Sequence, residues 1–456
     1  MPLELPVSLL DAALINAIPS VESCMPFEFV GRDSVCPETP SPSHESGHTV
    51  CHLICRMLVP VLAVGVLGTT AASEEPLELP SLPGYSRAAT RDLNNRGRVV
   101  GLAFAGETGV PRQQAVLWTR RLWRPDTVEA LPALPGLVDS EASAISRRGT
   151  PVGSSSLDFT LFRAVVWKRG FAGEWEAIEL EPPPGLTDAF ATGVNSRGEI
   201  VGFAFNPGEV VGGDVVQRAV VWKRRRDGGY SVFELETPDG FQSRASGINE
   251  RGEIVGTAFR TEFPGGDRLF RSNVVVWHRT GGRHRCGSRS PVVLAPLPGL
   301  PTNRDPAINL RGDVVARADV RIENATTSRP VYWRRNNWWK HHRWNKHDRG
   351  YRDPIQLPIP EGSTDASATD INAFGRVVGT ASVRQGSMLQ SSRPVAWSRG
   401  RHGWTVEVLD DSPGLRFVSA IRISDLGHVA GNGFPDSTGA TGALLWTPSS
   451  LCRWKR

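Results

Sequence analysis

The sequence predicts an all-β fold, a seven-bladed β-propeller of four-stranded antiparallel blades, and three observations predict it. A unit of roughly fifty-five residues recurs seven times from residue 77 onward. Two independent markers keep step through every copy. Each copy alternates β-branched runs with Gly and Pro at the spacing of four short strands and tight turns.

The first marker is an Asn-x-x-Gly element beginning at Asn94, Asn195, Asn249, Asn309 and Asn372, with Ser146 and Ser424 replacing Asn in two copies. Its glycines are Gly97, Gly149, Gly198, Gly252, Gly312, Gly375 and Gly427. The second marker is a tryptophan closing an Ala-Val-Val-Trp-like run. It falls at Trp118, Trp167, Trp222, Trp277, Trp333, Trp397 and Trp446, at spacings of 49, 55, 55, 56, 64 and 49.

Within the third copy each element has a physical reason. Residues 191–195 form a short first strand. The Asn195 side chain can bond the backbone two residues on, and Gly198 supplies the left-handed conformation of a three-residue hairpin. Serine does the asparagine's work more weakly, which accounts for the two replacements. Residues 199–205 are the second strand. Residues 218–223 are the third, rich in the side chains that fit a pleated surface. Residues 232–235 are the fourth, and a proline-rich turn such as 182–185 leads on.

The ends predict closure. No clear fourth strand follows Trp446, whereas residues 76–84 supply a fourth-strand-plus-turn element ahead of the first copy. Residues 77–79 are expected to pair near 444–446 and so cover an open edge. Two regions follow: an N-terminal segment at 1–75, and a propeller at 76–456 closed by the 76–84 strand.

The N-terminal segment carries an apolar run, with small residues after it, at 57–72. It has the size of a signal-peptide hydrophobic region, with Ala71 and Ala72 at a cleavage site before Ser73. No transmembrane span is expected in the mature protein, which is read as extracellular or periplasmic. A signal sequence normally lies within about the first 30 residues, so translation is expected to begin downstream of Met1, with Val50 a candidate if a valine-type start codon is used. His44, Glu45 and His48 match the spacing of a zinc-protease helix. Pro42 and Gly47 oppose a helix there, and no metal or cofactor is expected.

Composition excludes several classes. Apolar residues make up 39% and charged residues 22%, enough to bury a core. Lys and Arg number 52 against 47 Asp and Glu, too small a surplus for a nucleic-acid partner. Four of the six cysteines lie before residue 57, and the remaining two are Cys286 and Cys452, which makes no disulfide framework.

These motifs resemble the HAF-repeat family. Its units run through a Leu-Gly turn, an Ala-x-x-Ile-Asn-x-x-Gly-x-Val-Val-Gly stretch and a His-Ala-Phe-x-Trp strand. Leu134 to Gly136, Ala191 to Gly202 and Ala219 to Trp222 stand in the matching places. The resemblance covers nearly all of 77–446 and implies an extracellular repeat protein. The His-Ala-Phe triplet itself is missing: Gln114, Arg163, Arg218 and Arg393 occupy the histidine position. A function carried by that histidine would be lost here.

Function is read from charge. The connection after each repeat tryptophan is basic in most copies: residues 120–124, 168–169, 223–226, 283–285 and 399–402. Equivalent loops emerge on one face, where they would focus a positive field. The fifth copy carries an insertion at 334–347 that adds aromatics. Its candidate ligand-binding residues are Arg334, Arg335, Trp338, Trp339, Lys340, Arg343, Trp344 and Lys346, which pair cations with rings able to stack on sugars. No nucleophile elbow, phosphate-binding loop or recurring carboxylate pair appears. The expected function is a monomeric, non-enzymatic binding propeller for an anionic polysaccharide or cell-surface component. The alternative is a secreted polysaccharide hydrolase or lyase, recognisable by clustered Asp, Glu, His or Tyr at one channel mouth.

Overall fold

The computed structural model describes residues 76–447, apart from 106–111, 121–125, 159, 212–213, 263–268, 279–290, 301, 323–324, 337–349, 387, 410–413 and 436–441. The signal-like run and the histidine pair at 44 and 48 lie outside the described residues. Among these residues there is no helix, and so none long and apolar enough to cross a membrane.

The strands form antiparallel four-stranded units. In the third, Asp188–Val194 pairs with Glu199–Val211, that strand with Asp214–Arg224, and that with Tyr230–Glu234. The second and third strands run further than the expected 199–205 and 218–223, because the hairpin joining them continues the ladder to Val211 and Asp214. The same four-strand order repeats from Arg87–Leu93, Asp139–Ile145, Gln242–Ile248, Thr302–Ile308 and Asp365–Ile371. The last unit is built from Leu415–Ile423, Val429–Pro435 and Gly442–Trp446, and Leu77–Glu78 adds its fourth strand through Leu77↔Leu445 and Glu78↔Leu444.

The Ala-Val-Val-Trp run is apolar throughout because both of its faces are buried. Val220 and Trp222 pack back against the second blade, while Ala219 and Val221 pack forward against the fourth. Similar apolar layers separate the other neighbouring blades. One layer unites Val418, Ala430 and Leu445 of the last blade with Ala88, Val99 and Trp118 of the first, so the ring is closed. Truncating a tryptophan buried in this way costs about 3–5 kcal/mol.

Polar bonds lock the same interfaces. The indole N–H of Trp118 donates to Pro80 O at 2.8 Å, Trp167 to Pro132 O at 2.8 Å, Trp222 to Glu181 O at 2.7 Å and Trp277 to Glu236 O at 2.6 Å. Each indole thus reaches the turn leaving the preceding blade. For Trp118 that turn belongs to the N-terminal strand, so the closing strand is held by the first blade as well as the last.

The repeat asparagine does two jobs. Asn249 Oδ1 accepts the N–H groups of Arg251 and Glu253, each at 3.0 Å, fixing its own hairpin. Its Nδ2 donates to Asn309 O at 2.9 Å in the next blade. Asn309 reaches Asn372 O at 3.1 Å, and Asn372 reaches Ser424 O at 3.1 Å. Ser146 keeps only the first job, its Oγ accepting Thr150 N–H at 3.0 Å, because its hydroxyl is too short to cross to the next blade.

Candidate functional site

The Asn-x-x-Gly turns and the hairpins after the tryptophans emerge together, as the Arg120 N–H bond to Gly97 O at 3.1 Å illustrates. Two residues after the asparagine position stand Arg96, Arg148, Arg197, Arg251 and Arg311, then Phe374 and Leu426 in the last two copies. Across the fourth, fifth and sixth blades these turns and hairpins bound a cavity of about 630 Å³. Arg251, Arg311, Asp313, Tyr332, Arg334, Arg335, Phe374, Arg399 and Trp404 line it.

Its charges are unbalanced. Arg335 contacts the Glu253 carboxylate, and its backbone N–H donates to Asp313 Oδ1 at 3.0 Å. Arg251, Arg311, Arg334 and Arg399 have no carboxylate within ion-pair distance among the described residues. Tyr332 and Trp404 meet edge to face at 5.0 Å. Burial, and secondarily the Asp313 carboxylate, push the Tyr332 hydroxyl up to about 12, so it stays protonated. The Trp404 indole N–H is buried without an acceptor among the described residues, and Phe374 is 64% exposed.

Of the predicted site residues, the structure brings Arg334 and Arg335 to this cavity. Trp338, Trp339, Lys340, Arg343, Trp344 and Lys346 lie outside the described residues. Arg251, Arg311 and Trp404 were not picked out from the sequence. The arginine recurring two places after the repeat asparagine was the available signal for the first two.

The larger cavity, about 840 Å³, is a funnel on the axis. Each innermost strand has a β-bulge just before its asparagine, as between Ala191 and Gly193. The residue three places before the asparagine position is thereby turned inward. At that place Arg91, Ser143, Thr192, Ser246, Pro306, Thr369 and Ile421 all line the funnel. Opposite the bulge the second strand carries a glycine, because a Cβ on Gly202 would lie 1.8 Å from Phe190 O. The fifth blade has Ala316 there. Its ladder passes from Arg304↔Arg317 to Ala307↔Val315 with Asp305 unpaired, and Asp305 adopts φ +52°.

Most funnel arginines are neutralised. Arg91 Nε donates to Glu141 Oε1 at 2.6 Å, Arg317 lies 3.1 Å from Asp319 and 3.7 Å from Asp305, and Arg384 lies 3.8 Å from Asp365. Arg422 lies 3.4 Å from Asp92. Burial raises Asp92 to about 6 against the pull of Arg422, and burial raises Asp370 as well. On the turn-bearing face, Arg147 reaches both Asp425 of the last blade and Glu250 of the fourth, the latter at 3.9 Å. This bridge ties the second blade to the fourth and the last, and Phe203, Ser382 and Phe434 also line the funnel. Among the described residues no group of three or more His, Cys, Asp or Glu is placed to hold a metal.

No protein-family model and no curated protein matches the chain. Solved structures similar to it include an arginine-to-alanine mutant of AofleA from Arthrobotrys oligospora, at 11% identity and TM-score 0.32, covering 80% of this chain and 86% of that one. A glycoside hydrolase is similar at 8% identity and TM-score 0.28, covering 84% and 95%. Fructan 1-exohydrolase IIa from Cichorium intybus is similar at 8% identity and TM-score 0.27, covering 82% and 94%.

Proposed function

We propose that this propeller is a non-enzymatic binding module that captures an anionic polysaccharide or a similarly polyanionic surface outside the cell. The observation that carries the reading is the arginine cavity: four guanidinium groups from three consecutive blades face one recess without a carboxylate partner among the described residues. Such a group is strongest in bidentate contact with carboxylate or sulfate oxygens. Phe374 and Trp404 beside them supply faces on which a sugar ring can stack. The carboxylates lining the axial funnel, Glu141, Asp305 and Asp365, each sit against an arginine, which favours binding over acid–base hydrolysis. The location outside the cell rests on the apolar run at 57–72 and on the HAF-repeat resemblance.

Heparin is a suitable probe. The full chain should bind immobilised heparin at low salt and release as salt rises, because screening shortens from about 10 Å at 0.1 M to about 3 Å at 1 M. Replacing the exposed Arg251, Arg311 and Arg399 together by Ser should weaken binding at least tenfold. The melting temperature should hold, since surface changes of this kind stay within about 0.5 kcal/mol each. Passage through heparin at low salt, or full affinity in the triple variant, would overturn the reading.

A further inference from the structure

We infer that the axial funnel is a second binding site, distinct from the arginine cavity, and that it takes a sugar-sized hydroxylated monocarboxylate, such as a uronic acid, with Arg244 as the anchor of the carboxylate. Four observations lead there.

The funnel has the size of a small-ligand pocket, about 840 Å³ against the usual 300–1,000 Å³.

One cluster of charges on its wall is out of balance by one. Arg244, Arg304 and Arg317 lie together on the fourth and fifth blades. Burial first, and then the guanidinium groups of Arg317 and Arg244, pull Arg304 below its ordinary pKa. Asp305 and Asp319 neutralise Arg317 and Arg304, at 3.7 Å and 3.8 Å. Half-buried Arg244 lines the funnel with no carboxylate within ion-pair distance among the described residues. Three cations against two anions leave one positive charge in a recess where water screens it poorly. A single carboxylate fits the fork of one guanidinium. A polyanion does not suit this site, because Glu141, Asp305 and Asp365 also line the wall.

The wall is prepared for hydroxyl groups. Ser143, Ser246 and Ser367 line the funnel, and their hydroxyls make no hydrogen bond among the described residues. The lining carboxylates offer further acceptors to a ligand's O–H groups, and Phe203, Phe417 and Phe434 offer an apolar rim.

The backbone is strained at the same place. Asp305 is one of two described non-glycine residues with positive φ, and it lines the funnel. Strain of this sort costs about 1–3 kcal/mol and gathers at ligand sites.

The test is isothermal titration of the full chain with D-glucuronate, with D-glucose and acetate as partial probes. Saturable binding of glucuronate is expected, with glucose and acetate each at least tenfold weaker. Arg244→Gln should weaken glucuronate at least tenfold with the melting temperature held, and Arg244→Lys should restore part of the loss. The Arg251, Arg311 and Arg399 triple variant should bind glucuronate as the unaltered chain does, which separates this site from the heparin site. Absence of saturable glucuronate binding at millimolar concentration, or equal affinity in Arg244→Gln, would overturn the inference.

Discussion

Gly202→Ala should destabilise the third blade by about 2–4 kcal/mol. The added Cβ would lie 1.8 Å from Phe190 O, 2.9 Å from Phe190 C and 3.1 Å from Ala191 Cα. A close carbon–oxygen contact needs roughly 3.3–3.6 Å. A methyl group has no rotamer with which to escape, and the atoms it meets are backbone, so the innermost strand must move. Overpacking of this kind costs about 1–3 kcal/mol, and losing the Ala191↔Gly202 rung adds about 1 kcal/mol per hydrogen bond. The fifth blade shows the relaxed outcome: alanine in place of glycine, no rung from Asp305 to Ala316, and Asp305 in the left-handed region. The reciprocal Ala316→Gly should therefore change little, within about 1 kcal/mol, because relief at Asp305 is offset by glycine's extra unfolded-state entropy of about 0.5–1 kcal/mol. Urea denaturation followed by tryptophan fluorescence measures both, with an unchanged m-value showing that stability alone has moved. Gly202→Ala within 0.5 kcal/mol of the unaltered chain would refute the close-approach argument.

Two further predictions concern closure and pH. Leu79 is 4% exposed in the layer joining the last blade to the first, so Leu79→Ala should cost about 2–5 kcal/mol, whereas Leu77→Ala, two residues earlier and 40% exposed, should cost far less; equal losses in a melting experiment would detach the terminal segment from the closing core. Asp92 has a folded pKa raised from 3.8 to about 6, so the folded state holds its proton more tightly and this residue's contribution to stability falls as pH rises from about 4 to 6. Asp92→Asn keeps an acceptor for the Ile145 N–H at the present 2.8 Å contact. The stability of the unaltered chain minus that of the variant should decline across that window and level off above it; a difference that grows with pH would reverse the sign and defeat the account.

The fold was legible because its signals are periodic. Asn-x-x-Gly and Ala-Val-Val-Trp each report a local necessity, a hairpin conformation and a strand buried on both faces, and the chain repeats them. The roles that bind blade to blade were less legible. Nothing local to Asn249 says that its amide nitrogen reaches the next blade, or that the indole of Trp118 seeks Pro80 O, 38 residues back. The arginine cavity was visible in part: Arg334 and Arg335 stood out as a basic run, but Arg251 and Trp404 join them only when three blades are folded together. The funnel was not visible at all, because it draws scattered residues from every copy. Arg244 looks like any strand arginine until the carboxylates around it have been assigned to Arg304 and Arg317.

The seven copies also serve as an internal comparison, and they divide the residues by task. Positions that build the ring barely change: asparagine or serine opens the hairpin, and tryptophan closes the third strand. Positions that face the funnel change in almost every copy. The inward place at the bulge holds arginine, serine, threonine, proline or isoleucine, although the backbone presents it in the same way each time. A pore that only passed solvent, or a spacer with a filled axis, would have no physical reason to place around a single recess a strained aspartate together with a guanidinium and serine hydroxyls that have no partner among the described residues. The backbone is close to symmetric and its axial lining is not. An asymmetric lining discriminates only when its occupant is asymmetric too, with a charged end and a hydroxylated body. On the turn-bearing face the pattern differs: arginine recurs two places after the asparagine in five copies. Repetition of one charge around a rim matches a partner that is itself repetitive, as a polyanion is, while the funnel matches a single small molecule.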